Sequence, residues 1–400
     1  MARRVEQLVE HERRVVEIGD QTARDLVSIA MGKLSLSPTT DPGHYEIAAQ
    51  QWVGTLVTER LELVIRPKIP LDNLFLLLGV GLPPAAWRPE TFAYGTTRDL
   101  LPAFASFFAR TLERTLSTGL LRAYREAADR LPALRGRIDF AAQLSQPAVV
   151  IPVACRFDDF TADIIENRIL KAAIRRLLRV LGVPAGSRRL LLRELARFEE
   201  VVDTHVAPEA VDRVVFTRLN RHYAPALRLA ALVLRNTALL DRAGTADASA
   251  FLVDMNDVFQ RFLTDGLRRA LRGRLAVDDE PIRWLDRGHA VAMYPDLAFR
   301  AGDETVYVAD AKYKLTGTGR ARNPDYYQLL AYTTAMNLPE GVLVYCQADG
   351  PVPPRGIEVR HTGRRLLTYA LDLSGSPTDV IRSVNELARW VVGRVEALAL

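Results

Sequence analysis

The chain is poor in cysteine and has no long apolar run. Two cysteines in 400 residues, Cys155 and Cys346, exclude a disulfide framework and a zinc site built on CxxC pairs. The longest apolar stretch, LFLLLGVG at 74–81, falls well short of the roughly 20 residues that a membrane-spanning helix needs. The six histidines, at 11, 44, 205, 222, 289 and 361, show no spacing that would gather a metal. No G-x-x-x-x-G-K-[ST] occurs, so the chain is not expected to hydrolyse a nucleotide itself. The opening MARRVEQLVEHERRVVE is charged throughout and lacks the apolar centre of a secretory signal. The expectation is a cytoplasmic protein with no membrane partner. Neither sign of charge dominates: 53 Lys and Arg against 48 Asp and Glu give a formal net charge of +5. That balance is compatible with a polyanionic partner and equally with an arginine-rich composition. Internal repeats, low-complexity tracts and basic strips interleaved with aromatics are missing too.

What is present is an ordinary globular balance, 48% hydrophobic and 25% charged, enough for one large core or for two to three domains. Residues 45–65 hold two Val-, Ile-, Leu- and Trp-rich segments around polar Thr58–Glu59 and read as a β-hairpin. Before them, GKLSLSPTTDPGH at 32–44 reads as an exposed loop. LDNLFLLLGVG reads as a short helix with Asp72 near its start and Gly79 near its end. From about residue 100, apolar groups recur at threes and fours, predicting helices over 104–131, 158–182 (ending at Gly182), 187–203 and 218–239. DRAGTADAS at 241–249 is the best boundary. Beyond it come a helix at 255–273, strands near 290–299 and 304–313, a helix at 324–338 with Pro324 in its first turn, a buried strand at 341–348 and a closing helix at 377–398. The fold class is therefore α/β, in three parts: an N-terminal β-rich region (1–100), a helical domain (101–245), and a mixed sheet flanked by helices (246–400).

Within the last part, VYVADAKYK alternates. Val306, Val308, Asp310 and Lys312 share one face of the strand, and Tyr307, Ala309, Ala311 and Tyr313 the other. Two valines turn the first face towards a core, where two charges cost desolvation unless paired or used. An isolated D-x-K is most often a salt-bridged strand end. Pro295–Asp296 on the preceding strand changes the balance, because a turn at RAGDET with Gly302 brings Asp296 to the same end of the sheet as Asp310. Asp296, Asp310 and the carbonyl of Ala311 are hard oxygen donors suited to Mg²⁺, and Lys312 could orient a water or stabilise developing charge.

This arrangement resembles the PD-(D/E)xK nuclease superfamily, in which a glutamine such as Gln328, in YYQLLAY, often lies on the following helix and helps to hold substrate or water. The likeness extends to the McrC family, nuclease subunits of McrBC-type modification-dependent restriction systems. It is carried by GTLVTERLELVIRPKI (54–69), LLRAYREAADRLPALRGRIDF (120–140), CRFDDFTADIIENRILKAAI (155–174), FLVDMNDVFQRFL (251–263) and PDLAF…VADAKYK, and covers most of 45–335. The resemblance implies Mg²⁺-dependent DNA endonuclease activity in antiviral defence. It also implies a partner ring of McrB-like AAA+ GTPase that recognises DNA carrying methylcytosine. In that family the N-terminal region docks on the ring and stimulates GTP hydrolysis, which makes 32–44 and the hairpin at 45–65 candidates for that contact.

One departure stands out: the family helix usually reads F-E, whereas here Phe259 is followed by Gln260, which keeps an oxygen for the metal but loses the charge. Asp257, one turn earlier, is a candidate to compensate. The alternative reading is a catalytically inactive adaptor that activates the GTPase. Arg135, Arg137, Arg175 and Arg176 are candidates for phosphate contact or plain solvated faces, and Asn167 and Arg168 for buried packing.

Overall fold

The computed structural model describes residues 3–79, 100–145, 151–180, 183–242, 249–313, 323–347 and 353–399. The chain forms two compact units, Met1–Leu100 with Leu239–Leu400, and Leu101–Ala238.

The first stretch runs β1 (Arg4–Val9), β2 (Arg13–Glu17), α1 (Gly19–Ala30), β3 (Ser35–Pro38), β4 (His44–Ala48), β5 (Trp52–Val57), β6 (Leu61–Arg66) and α2 (Leu71–Leu78). β5 and β6 form the expected hairpin. Thr58 holds its turn, with its hydroxyl accepting from Leu61 N at 3.0 Å and donating to Leu61 O at 3.1 Å. Tyr45–Ala48, expected in the same hairpin, belongs instead to β4 at the centre of a separate sheet ordered β2-β4-β3. The loop expected at 32–44 is correspondingly part strand, because Leu36 pairs with Ile47 and packs against the core. α2 ends at Gly79 as read from the sequence.

The second unit holds α3 (Leu100–Thr115), β7 (Ala123–Leu131), β8 (Arg137–Ile138), α4 (Phe140–Leu144), β9 (Val153–Thr161), α5 (Ile165–Leu178), α6 (Ala185–Ala196) and α7 (Ala224–Arg242). Two expected helices are each part strand. The helix at 104–131 stops at Thr115 and the helix at 158–182 begins only at Ile165. Between them Ala123–Leu131 pairs antiparallel with Val153–Thr161 along its whole length. The helical spacing of alanines and leucine in AYREAADRL is overridden by this pairing. Asp163 anchors the step from β9 to α5. It accepts from Arg125 at 3.0 Å, Arg168 at 2.7 Å and Val202 N at 3.0 Å, and Arg168 above all holds its carboxyl well below the usual range. Asn167, fully buried, donates to Leu121 O and Ala162 O, and so has the packing role. Gly182 and most of the boundary loop at 241–249 lie outside the described residues.

The remaining elements are β10 (Ser249–Asp254), α8 (Met255–Ala270), β11 (Ala276–Asp279), β12 (Arg283–Trp284), β13 (Ala292–Met293), β14 (Leu297–Ala301), β15 (Glu304–Lys312), α9 (Asn323–Ala335), β16 (Glu340–Gln347), β17 (Arg355–Glu358), β18 (Arg365–Asp372) and α10 (Pro377–Leu398). Residues 1–100 do not stand apart from them. β10 pairs with β5 to complete a sheet ordered β1-β6-β5-β10, and at Gly54 (φ +150°) a Cβ would lie 1.9 Å from Phe251 O, so that approach needs glycine. Tyr313 donates to Glu10 at 2.8 Å, and Asn73 donates to Leu373 O at 2.7 Å and Gly375 O at 2.8 Å.

The central sheet is ordered β11-β14-β15-β16-β18-β17, with β15, β16 and β18 parallel. α9 is the crossover between β15 and β16 that a parallel pair requires. It packs Leu329 and Tyr332 on Val308, Leu343 and Tyr345. Gly341 lets it approach, since a Cβ there would meet Leu329 Cδ1 at 2.9 Å. α8 and α10 cover the other face: Phe259 lies 5.9 Å from the Tyr313 ring, and Arg394 pairs with Glu340. α10 starts with Pro377 in its first turn and a capping box of Ser376 and Asp379. Among the described residues no helix is long and apolar enough to cross a membrane.

Candidate active site

The turn at Gly302 (φ +63°) sets the register of β14 on β15, with Leu297 opposite Ala309. One step further out, Asp296 faces Asp310. The Ala311 amide donates to Asp296 Oδ2 at 2.7 Å, fixing that carboxylate across the strands. Asp310 is fully buried, and its Oδ1 has no hydrogen-bond partner among the described residues. The Lys312 ammonium sits 2.6 Å from Asp310 Oδ2, a close ion pair without hydrogen-bond alignment. Lys312 donates to Gln328 Oε1 at 3.0 Å, Gln328 Nε2 to the Tyr332 hydroxyl at 2.7 Å, and that hydroxyl to Tyr294 O at 3.0 Å. The helix after the strand therefore fixes the lysine through a chain of hydrogen bonds.

Burial, and then the charge of Asp310, push the Asp296 carboxyl up to about 7. Burial likewise raises Asp310. Burial alone would pull Lys312 down, but the two aspartates beside it carry it above the ordinary lysine value. An unpartnered buried carboxylate oxygen costs stability, on the order of 1–3 kcal/mol or more. Such strain, gathered with perturbed titrations, marks a functional site better than a structural one.

The sequence placed Asp296, Asp310, Lys312 and Gln328 together, and the fold brings all four to the α9 face of the sheet. Gln260 reaches the cluster only through Glu280: its Nε2 donates to Glu280 Oε1 at 2.9 Å, and Glu280 N in turn donates to Asp296 O at 3.3 Å. Asp257 is half-buried and pairs with Arg261 at 2.8 Å rather than with a member of the acid–lysine cluster. Of the arginines singled out, Arg135 pairs with Asp159, Arg137 with Glu126 and Arg175 with Asp203. Three participants escaped the sequence reading. Tyr332 follows Gln328 by four residues on the same helical face, a spacing that signals contact. Asp325 precedes Gln328 by three, is buried and accepts from Tyr345 at 2.8 Å. Glu280 had no local signal, since only the pairing of β11 with β14 sets it beside Asp296.

The donor set fits a hard divalent cation. Among the described residues no three His, Cys, Asp or Glu side chains are gathered round one point. Mg²⁺, however, keeps several waters and commonly takes only one or two carboxylates. Asp310 Oδ1 is the buried, unpartnered oxygen such an ion would satisfy.

A mixed α/β sheet with two acids and a lysine converging on one face defines the class. The family model "McrBC 5-methylcytosine restriction system component" matches residues 47–346, well over half the chain, and the chain belongs to that family. Its fold is similar to a chain in the half-complex from a tetradecameric assembly of Thermococcus gammatolerans McrB AAA+ hexamers with bound McrC. The TM-score is 0.56 at 22% identity, covering 96% of this chain and 100% of that one. A second structure, the Thermococcus gammatolerans McrBC complex, aligns at TM-score 0.45 and 25% identity over 67% of this chain and 88% of that one. The comparison with curated proteins gives no match.

Proposed function

We propose that this chain is the McrC-type, nuclease-bearing subunit of an McrBC-like restriction complex. In this reading it hydrolyses phosphodiesters of methylated double-stranded DNA under the control of an McrB-like AAA+ GTPase ring whose GTP hydrolysis it stimulates, in the cytoplasm. The observation that carries the reading is the buried cluster of Asp296, Asp310 and Lys312, with Asp310 Oδ1 left unpartnered. The ring partner follows from family membership and from the similar Thermococcus gammatolerans chain, which is bound to McrB hexamers.

Asp296, Asp310 and the Ala311 carbonyl would hold Mg²⁺, whose charge, when bound, would supply an acidified water and neutralisation at the phosphodiester. Lys312 supplies a fixed positive charge where the phosphate gains negative charge, and Gln328 and Tyr332 keep that ammonium from swinging away. Burial of the pair excludes bulk water, so each charge acts in a medium of low dielectric. The inactive-adaptor reading rests on Gln260, whose amide occupies Glu280 rather than the acids.

The test is cleavage of methylated and unmethylated plasmid with purified ring partner, Mg²⁺ and GTP. Lys312→Ala should lose cleavage by at least about a hundredfold and keep stimulation of GTP hydrolysis. Absence of cleavage by the natural chain, with GTP hydrolysis stimulated, would replace the nuclease by the adaptor.

A further inference from the structure

The segment leading into Asp296 is a short hairpin, β12 with β13, and it leaves a row of large apolar side chains in solvent. Ile282 is 56% exposed, Trp284 38%, Leu285 44%, Val291 48% and Tyr294 53%. Arg283 pairs with Met293, and Met293 packs in the core under α9. Alternation therefore turns Trp284 and Ala292, the next pair, to the outer face. The outer face is built, not slack. Trp284 stacks on His289, with ring centroids 5.0 Å apart and an interplanar angle of 23°. Asp286 Oδ1 accepts from both Ala290 N and Val291 N at 2.9 Å, and Leu285 N donates to Val291 O at 3.0 Å. The one acid of the hairpin is thus occupied by its own turn, while Arg287 is exposed.

Hairpin and site are physically continuous. The carbonyl of Tyr294 receives the Tyr332 hydroxyl, which receives Gln328, which receives Lys312. A single residue, Pro295, separates Tyr294 from Asp296. A phosphodiester held at the acids would therefore have this hairpin as its neighbour along the chain. Aromatic and apolar side chains beside a basic residue are the equipment of a wedge that presses on base steps while the cation meets phosphate.

We infer that the hairpin 282–294 is a DNA-engaging wedge that seats duplex DNA beside the acid–lysine cluster. The inference rests on the nuclease reading for its substrate but is measured by binding. The full-length chain, without divalent metal, is titrated into a short fluorescent DNA duplex and followed by anisotropy. Trp284→Ala with Tyr294→Ala should weaken binding about tenfold, and Ile357→Ala, which trims a comparably exposed apolar side chain on the edge strand β17 of the central sheet, should bind as the natural chain does. Trp284→Phe, which spares packing, serves as the second variant: DNA should quench the tryptophan emission of the natural chain, and this quench should fall in the variant. Unchanged duplex affinity and an unchanged quench overturn the inference. So does retained duplex affinity with lost binding to the purified ring partner, which would assign the hairpin to the protein. Failure of the nuclease reading is separately visible, as Lys312→Ala cleaving like the natural chain.

Discussion

Asp310 and Glu340 are both fully buried acids of one sheet, on neighbouring strands, yet their surroundings are opposite. On the α8 and α10 side, Glu340 accepts from Tyr307 at 2.8 Å and from Arg394 at 2.8 Å, with Arg365 a further 3.7 Å away. Every charge there is answered, which is what a structural ion site requires. On the α9 side, Asp310 has a lysine that does not align and an oxygen with no partner among the described residues. The same fold satisfies one acid and leaves the other in deficit. In the nuclease reading proposed above, the deficit falls on the acid that would hold the metal.

Substitution should separate the two. The largest effect is on activity: Asp310→Asn should lose DNA cleavage by a hundredfold or more, about 3 kcal/mol of transition-state stabilisation, while its Tm is unchanged or higher. Glu340→Gln should do the reverse. It should destabilise by about 2–3 kcal/mol, because Arg394 and Arg365 lose their counter-charge, yet keep its cleavage rate per folded molecule. Denaturant unfolding beside a cleavage assay reads both. A stability loss in Asp310→Asn as large as in Glu340→Gln would erase the distinction.

The pH dependence sharpens it further. Asp296 is raised from 3.8 to about 7, so between those values the folded chain holds a proton that the unfolded chain has released. Stability from this group is therefore full below about pH 4, declines as pH rises towards 7, and is flat above. Asp296→Asn should remove that decline, so its Tm relative to the natural chain should rise over this window. A parallel pair of Tm–pH curves would contradict the assignment. The smallest effect is expected at Gln260→Glu. It sets a second carboxylate against Glu280, where the amide now donates at 2.9 Å, and should cost less than about 1 kcal/mol, shrinking as salt is added. A gain of cleavage in that variant would mean that position 260 reaches the metal after all.

Much of the site was legible because it is local. Alternation in VYVADAKYK, the turn at Gly302 and the helix carrying Gln328 are short-range features, and strand register converts them directly into proximity. What escaped depends on distant pairing. Nothing near Glu280 announces Asp296, and nothing in AYREAADRL announces Val153–Thr161. β10 closing on β5 joins residues about two hundred apart in sequence, which merged two expected regions into one unit. Helical periodicity misled where a strand's alanines and leucine fell by chance at threes and fours. Tyr332 and Asp325 were within reach, since both lie on the face of α9 that Gln328 marks.

The central claim, that the oxygen of Asp310 awaits a divalent cation, is tested most directly by thermal unfolding across a Mg²⁺ titration. An ion that binds only the folded chain raises Tm with concentration. The natural chain and Glu340→Gln should both show that rise, and Asp310→Asn should not. An equal rise in all three, or none in the natural chain, would contradict the account.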